Sequence, residues 1–209
     1  MRTVTVEYKV YKYNELSDKA KNKVKQWYLD GQEPQGFTDM CEDDLGELFG
    51  SNDLKLQYSL SYCQGDGLNI YGNIGAEQIL NCLEKHKGGS QLEKFENILT
   101  DKEKKTILHY AEMCGDIKLP MNNRYAYCMA DYIDIKDEWS SDLEYNYNYK
   151  NINDKVLEKF ETLVKGIFKE LCNGFEQIGY EYFYEIEEED LEENCNSNGY
   201  EFYESGEVF

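Results

Sequence analysis

The chain has 209 residues, a formal net charge of −20 and a mean hydropathy of −0.76, with 41% hydrophobic residues. This is the composition of a soluble folded chain rather than a disordered one, long enough to bury a sizeable core. Only 22 basic residues stand against 42 acidic ones, which argues against binding to bare DNA, RNA or an anionic membrane, since phosphate contacts need Lys and Arg; no stretch approaches the roughly 20 apolar residues of a membrane helix.

Residues Thr3–Tyr11 alternate, with Val4, Val6, Tyr8 and Val10 on one face, and predict a strand. This start lacks the apolar run of a signal peptide. "NELSDKAKNKVKQWYLDG" predicts a helix with Ser17 as N-cap, an inward stripe of Ala20, Val24 and Trp27, and Gly31 as its stop. Lys19, Lys21, Lys23 and Lys25 lie on several sides of that helix and read as its wet surface. "FTDMCEDDLGELF", residues 37–49, predicts a second, short helix with Phe37, Met40 or Cys41, Leu45, Leu48 and Phe49 inward. Leu54, Leu56, Tyr58, Leu60 and Tyr62 then alternate, and Leu68 to Ile74 follow. With Gln64–Gly67 ("QGDG") between them, these two runs predict a β-hairpin over 54–74.

"GAEQILNCLEKH" predicts a helix with Ile79, Leu80 and Leu83 inward, broken at Lys87–Ser90, and "QLEKFENIL" a further short helix. "TDKEKKTILHYAEMCG" has Thr100 and Glu103 at capping-box spacing and ends at Gly115. "YAYCMADYIDI" predicts a long strand near 125–136, and Leu143–Tyr149 another. From Asn153 the period returns to three or four: Val156, Phe160, Leu163, Ile167, Leu171, Phe175, Ile178, Tyr182 and Ile186 make one apolar seam. Gly166, Gly174 and Gly179 interrupt it, each costing about 1 kcal/mol relative to alanine, so a kink or break is expected near 174–179. "GYEFYESGEVF" predicts a small closing hairpin around Ser205–Gly206. With no repeats and no linker, the chain is expected to be one α+β domain over 1–209. Its antiparallel sheet (hairpin 54–74 with strands near 3–11 and 125–136) is packed by helices, with a long helical region toward the C-terminus.

Motifs for chemistry are few. Seven cysteines (Cys41, Cys63, Cys82, Cys114, Cys128, Cys172 and Cys195) form no C-x-x-C, and their odd number points to a reducing compartment and to buried apolar roles. His86 and His109 give no zinc spacing. In "CQGDGLNIYG" a strand rather than a helix follows the glycines, and Asp66 would repel an anion, so it reads as a turn and not a phosphate loop. "DYIDIKDEWSSD" does not fit a calcium loop, and His109 has no nucleophile in a recognised motif. No enzyme, metal or cofactor is expected.

Two biases remain. Nineteen tyrosines suit either a half-buried sheet or a binding surface. The segment 170–209 carries 13 acidic residues and no lysine or arginine. On one continuous helix, Glu181, Glu185, Glu188 and Glu192 share a face that Glu187, Glu189, Asp190 and Glu193 widen. Like charges at such spacing repel, and a helix shaped only for solubility mixes signs. An unrelieved acidic face places carboxylates where a nucleic acid places phosphates, and steers toward a basic groove.

Three stretches, "YKYNELSDKAKNKVKQWYLDG", "YSLSYCQGDGLNIYGNI" and "NSNGYEFYESGEVF", resemble a loose family of small acidic phage and prophage accessory proteins, above all in the E-L-S-x-x-A-K opening followed by Q-G-D-G. Some of these are labelled antitoxin-like, and small acidic phage proteins include inhibitors of restriction and CRISPR systems. The resemblance implies phage origin and action in the host bacterial cytoplasm; it supplies no catalytic residues. The expected function is non-enzymatic inhibition of a nucleic-acid-handling defence effector by mimicry. The surface is formed by Glu181, Glu185, Glu188, Glu189, Asp190, Glu192 and Glu193, with a second patch at Asp134, Asp137, Glu138, Asp142 and Glu144. Two other functions fit the sequence. One is neutralising a basic toxin. The other is sequestering a nucleotide immune signal, for which Lys19–Lys25 and Arg124 would have to assemble a pocket.

Overall fold

In a computed structural model, which describes residues 1–85 and 92–209, the alternating run that starts at Leu54 forms the expected hairpin. β1 (Leu54–Ser59) pairs antiparallel with β2 (Gly67–Ile74), from Leu54↔Gly72 to Ser59↔Gly67. β2 is the middle strand, and its other edge takes β3 (Ile117–Leu119) through Ile74↔Ile117 and Gly72↔Leu119. With this sheet and seven α-helices among the described residues, the fold is α+β.

The connection between β1 and β2 is built on Asp66. Its carboxylate accepts hydrogen bonds from Ser59 Oγ (3.0 Å), Ser61 N (2.6 Å), Cys63 N (3.0 Å) and Cys63 Sγ (3.1 Å). Burial opposes its ionisation, but these donors outweigh that and hold the carboxyl far below the usual carboxylate range. The same contact pushes the Cys63 thiol up. The "QGDG" stretch is thus part of a turn whose acid is engaged locally.

Three expected strands do not form. Among the described residues, 3–10 pair with no strand, and of this run only Tyr11 makes an isolated bridge, to Phe202. Residues 125–136 hold a 3₁₀ turn at Ala130–Tyr132 and then enter a helix, and the expected run at Leu143–Tyr149 begins inside that helix. The tyrosine-rich pattern suits a strand, but its polar backbone is met by a side chain instead. Asn69, 1% exposed on β2, accepts from Met129 N at 2.9 Å and donates to Pro120 O at 2.9 Å. The ladder that the run was expected to join is therefore replaced by one buried amide.

The chain divides into two compact units, residues 37–178 and residues 1–36 with 179–209. In the first lie the sheet and most of α2 (Pro34–Phe49), in which Phe37, Cys41, Leu45 and Phe49 recur every four residues and are buried. Met40, the alternative to Cys41, is exposed. α3 (Ala76–Lys85) buries Ile79, Leu80 and Leu83; the expected break at 87–90 lies outside the described residues. The short helix expected over 91–99 is only a 3₁₀ turn, Glu93–Phe95, among the described residues. α4 (Asp101–Cys114) starts on the Thr100–Glu103 capping box and stops at Gly115, as read from the sequence. α5 (Lys136–Tyr145) turns Trp139 and Leu143 inward.

α6 (Asp154–Tyr184) carries the apolar seam as far as Phe175; beyond it Ile178 is exposed, and Ile186, expected to continue the seam, lies past the helix end. Every seam residue from Val156 to Phe175 is buried, with Phe168 stacked on Phe49 (5.6 Å) and Phe160 beside Trp139 (6.1 Å). The break expected at 174–179 does not occur. Burial of the seam outweighs the glycine cost, and Gly166 has a packing reason: a Cβ there would lie 2.6 Å from Phe95 Cε1.

In the second unit, Ser17 caps α1 (Asp18–Asp30), accepting from Ala20 N. α7 (Glu188–Ser197) and a hairpin bridge between Phe202 and Val208 supply the rest of a small core of Tyr13, Leu16, Ala20, Val24, Leu191, Cys195 and Phe202. Trp27 sits at the rim, 38% exposed, edge-on to Tyr200 at 5.2 Å. Among the described residues no helix is long and apolar enough to cross a membrane.

Candidate protein-binding surface

The acidic C-terminal segment is not one continuous helical face. α6 ends at Tyr184, residues 185–187 belong to neither helix, with Glu187 extended at φ −70° and ψ 149°, and α7 begins at Glu188. The break has an electrostatic cause. In an unbroken helix these carboxylates would crowd toward its negative C-terminal end. After the break, Glu188, Glu189 and Asp190 occupy the first turn of a new helix, whose positive end favours them. Restarting also turns Leu191 and Cys195 into the core. The expected alignment of Glu181, Glu185, Glu188 and Glu192 is therefore divided between α6, the connection and α7.

Nor is the segment unrelieved. Lysines from the other end of the sequence meet it: Lys21 Nζ lies 2.7 Å from Glu188, Lys23 Nζ 2.8 Å from Glu207, Lys12 Nζ 3.3 Å from Glu201, and Lys25 Nζ donates to Ile186 O at 2.7 Å. The hydrogen bond to Glu188 raises the pKa of Lys21, and Lys23 lowers that of Glu207. Burial, and then Glu188, raise that of the Tyr13 phenol beneath them. Three of the lysines that a nucleotide pocket would need are thus engaged with the chain's own oxygens, and Arg124 lies over the Tyr125 ring at 5.1 Å. Glu185, Glu189, Asp190 and Glu193 remain exposed and Glu192 half-buried, with no ion pair to any of them among the described residues.

The second patch is gathered more tightly. Asp134, Asp137, Glu138 and Asp142 line one shallow groove together with Ser141, and Glu144 is exposed on the last turn of α5. Asp134 Oδ1 accepts from Asp137 N (3.1 Å), which opens the helix, and Asp142 Oδ1 accepts from Asn146 Nδ2 (3.0 Å). No ion pair involves Asp137, Glu138, Asp142 or Glu144 among the described residues. At the helix end and just past it, Tyr145 and Tyr147 are 81% and 51% exposed.

What fixes this helix is Glu161 on α6, a residue that no motif or spacing marks. One oxygen accepts from Ile135 N and Lys136 N, both at 2.9 Å, and the other meets Lys165 Nζ at 2.7 Å. Burial opposes ionisation here too, but the amides of Lys136 and Ile135 with Lys165 hold the carboxyl below its ordinary value. Ile135, Trp139 and Leu143 bury the opposite side of the helix, so the outward set is defined by packing.

Other chemistry is sparse. His109 is exposed and lies 3.7 Å from Glu112. Cys41, Cys82, Cys172 and Cys195 are buried, Cys114 and Cys128 half-buried, and Cys63 exposed. The Cys128 and Cys172 thiols hydrogen-bond each other, a pairing 44 positions apart that no spacing rule marks; that bond lowers Cys128 and, with burial, raises Cys172. No group of three or more His, Cys, Asp or Glu suited to a metal ion occurs among the described residues. Compared with known family models, characterised proteins and solved structures, the chain shows no significant match.

Proposed function

We propose that this chain is a non-enzymatic, phage-encoded inhibitor of a bacterial defence system. It binds a basic nucleic-acid-handling effector, of the CRISPR or restriction kind, in the groove where that effector holds DNA or RNA. The phage origin rests on the resemblance of the opening and hairpin motifs. The observation that carries the mechanism is the outward side of α5, where Asp134, Asp137, Glu138 and Asp142 share a groove with no opposing cation among its lining residues. At a rise of 1.5 Å per residue, the carboxylates from 137 to 144 span about 10 Å, close to three phosphate steps of one DNA strand. The exposed Tyr145 and Tyr147 add the amphipathic rings that anchor many interfaces. The exposed acids of α7 contribute a second, weaker patch, because Lys21 already engages Glu188.

The test uses a panel of purified CRISPR effector complexes and restriction endonucleases, each loaded with a labelled target duplex. The wild-type chain displaces the duplex from at least one, and less so as salt rises. D137K/E138K/D142K loses displacement, whereas E33K/E77K/E112K, which reverses three exposed acids elsewhere, keeps it. Equal displacement by both triple variants, or none by the wild type across the panel, overturns the proposal.

A further inference from the structure

Of the alternating run at Thr3–Tyr11, residues 3–10 make no strand pairing among the described residues. Val4, Val6, Tyr8 and Val10 are exposed by 67%, 60%, 61% and 36%, and residues 3–10 form no ladder. The run is nonetheless anchored at a sheet-like edge. Tyr11 exchanges both backbone hydrogen bonds with Phe202 at 2.9 Å, and Phe202 bridges Val208 on its other side. These three segments stand in the order Val208, Phe202, Tyr11, which leaves the outer edge of Tyr11 open. The rings of Tyr203 and Phe209 lie 5.7 and 6.4 Å from that of Tyr8.

We propose that Val6–Val10 pairs antiparallel with the same residues of a second copy of this chain, centred on Tyr8, and so joins two chains into a dimer. Hydrogen-bond phase supports this partner. Tyr11 directs its own N–H and C=O to Phe202; in an extended continuation the alternate residues Val10, Tyr8 and Val6 direct theirs to the open edge. Pairing centred on Tyr8 uses that set.

Charge selects the same register. Centring on Tyr8 puts Glu7 opposite the partner's Lys9, and Lys9 opposite the partner's Glu7, with Val6 and Val10 likewise opposed. The charged pairs fall at non-hydrogen-bonded positions, where side chains approach most closely. Centring on Glu7 or on Lys9 instead opposes like charges, and centring on Val6 or Val10 leaves neither charge with its opposite. Two strands alone are marginal in water. Here they would join two three-segment edges, and the face carrying Val6, Tyr8 and Val10 from each copy continues into the Tyr203 and Phe209 rings.

Sedimentation velocity on the full chain at low salt tests this. The wild type self-associates, and Glu7→Lys or Lys9→Glu weakens association about tenfold, two cross-strand pairs being turned from attractive to repulsive. The double swap E7K/K9E restores it, and mixing E7K with K9E chains gives mixed dimers tighter than either alone. A wild type that stays monomeric, association indifferent to E7K, or failure of the double swap to restore it overturns the proposal.

Discussion

Lys21 and Glu188, 167 positions apart in sequence, meet at 2.7 Å, and that contact joins the basic helix α1 to the first turn of the acidic helix α7. Much of the charge asymmetry that dominates the sequence is thus internal to one unit. Lys21→Glu is expected to lower the melting temperature slightly at low salt and hardly at all at high salt, because the pair is partly exposed. The swap K21E/E188K should recover part of the loss. A thermal melt at two salt concentrations checks both.

Phe202 is fully buried in the small core that holds Leu191 and Cys195, and is the largest side chain there with no exposed surface. Phe202→Ala should cost about 3–5 kcal/mol by urea denaturation. A loss below about 1 kcal/mol would show that this core is not packed as described.

Glu161→Ala removes the acceptor of two amides at the start of α5 and the partner of Lys165. The expected cost is about 1–2 kcal/mol, as for loss of a helix N-cap, with Glu161→Gln intermediate. Since α5 presents Asp137, Glu138 and Asp142, the alanine variant should also weaken displacement in the effector assay while every surface acid is retained.

Glu103 accepts from Lys159 Nζ at 2.8 Å on each oxygen and from Thr100 N at 2.7 Å, and these contacts, Lys159 first, bring its carboxyl down to about 2. A depressed folded-state value gives stability that is present above the unfolded value and lost as pH falls through the folded one. Stability should therefore decline from the ordinary value of 4.5 toward about 2. Urea midpoints followed through that window should fall less in Lys159→Met, which lacks the main cause of the depression.

Gly206 sits at φ +82°, and a Cβ there would lie 2.5 Å from the Ala20 carbonyl oxygen. Gly206→Ala adds left-handed strain to a backbone clash and should cost about 1–3 kcal/mol. Its effect on the melt should exceed that of Ser205→Ala at the neighbouring exposed position.

Elements with dense local signals were legible in the sequence: the Leu54–Tyr62 alternation, the Thr100–Glu103 capping box and the α6 seam all mark structure within one or two turns of themselves. β3 was not, because Ile117–Leu119 is too short for a period to show. Residues 125–136 misled because their tyrosines and isoleucines favour a strand, while Asn69 and Glu161, distant in sequence, determine where their backbone polar groups go. The acids of both patches could be named from sequence, but their grouping could not. The break at 185–187 and the lysines reaching back from α1 depend on contacts that composition counted segment by segment cannot reveal.

That α1 is covered by Leu191, Cys195 and Phe202 also bears on biosynthesis. Ala20 and Val24 leave the ribosome long before the residues that shield them, and at typical translation speeds the interval is on the order of ten seconds or more. The first 36 residues must therefore persist as an unfinished, adhesive segment while residues 37–178 can already collapse around their own sheet. Nascent chains halted before Leu191 should be the ones that chaperones hold.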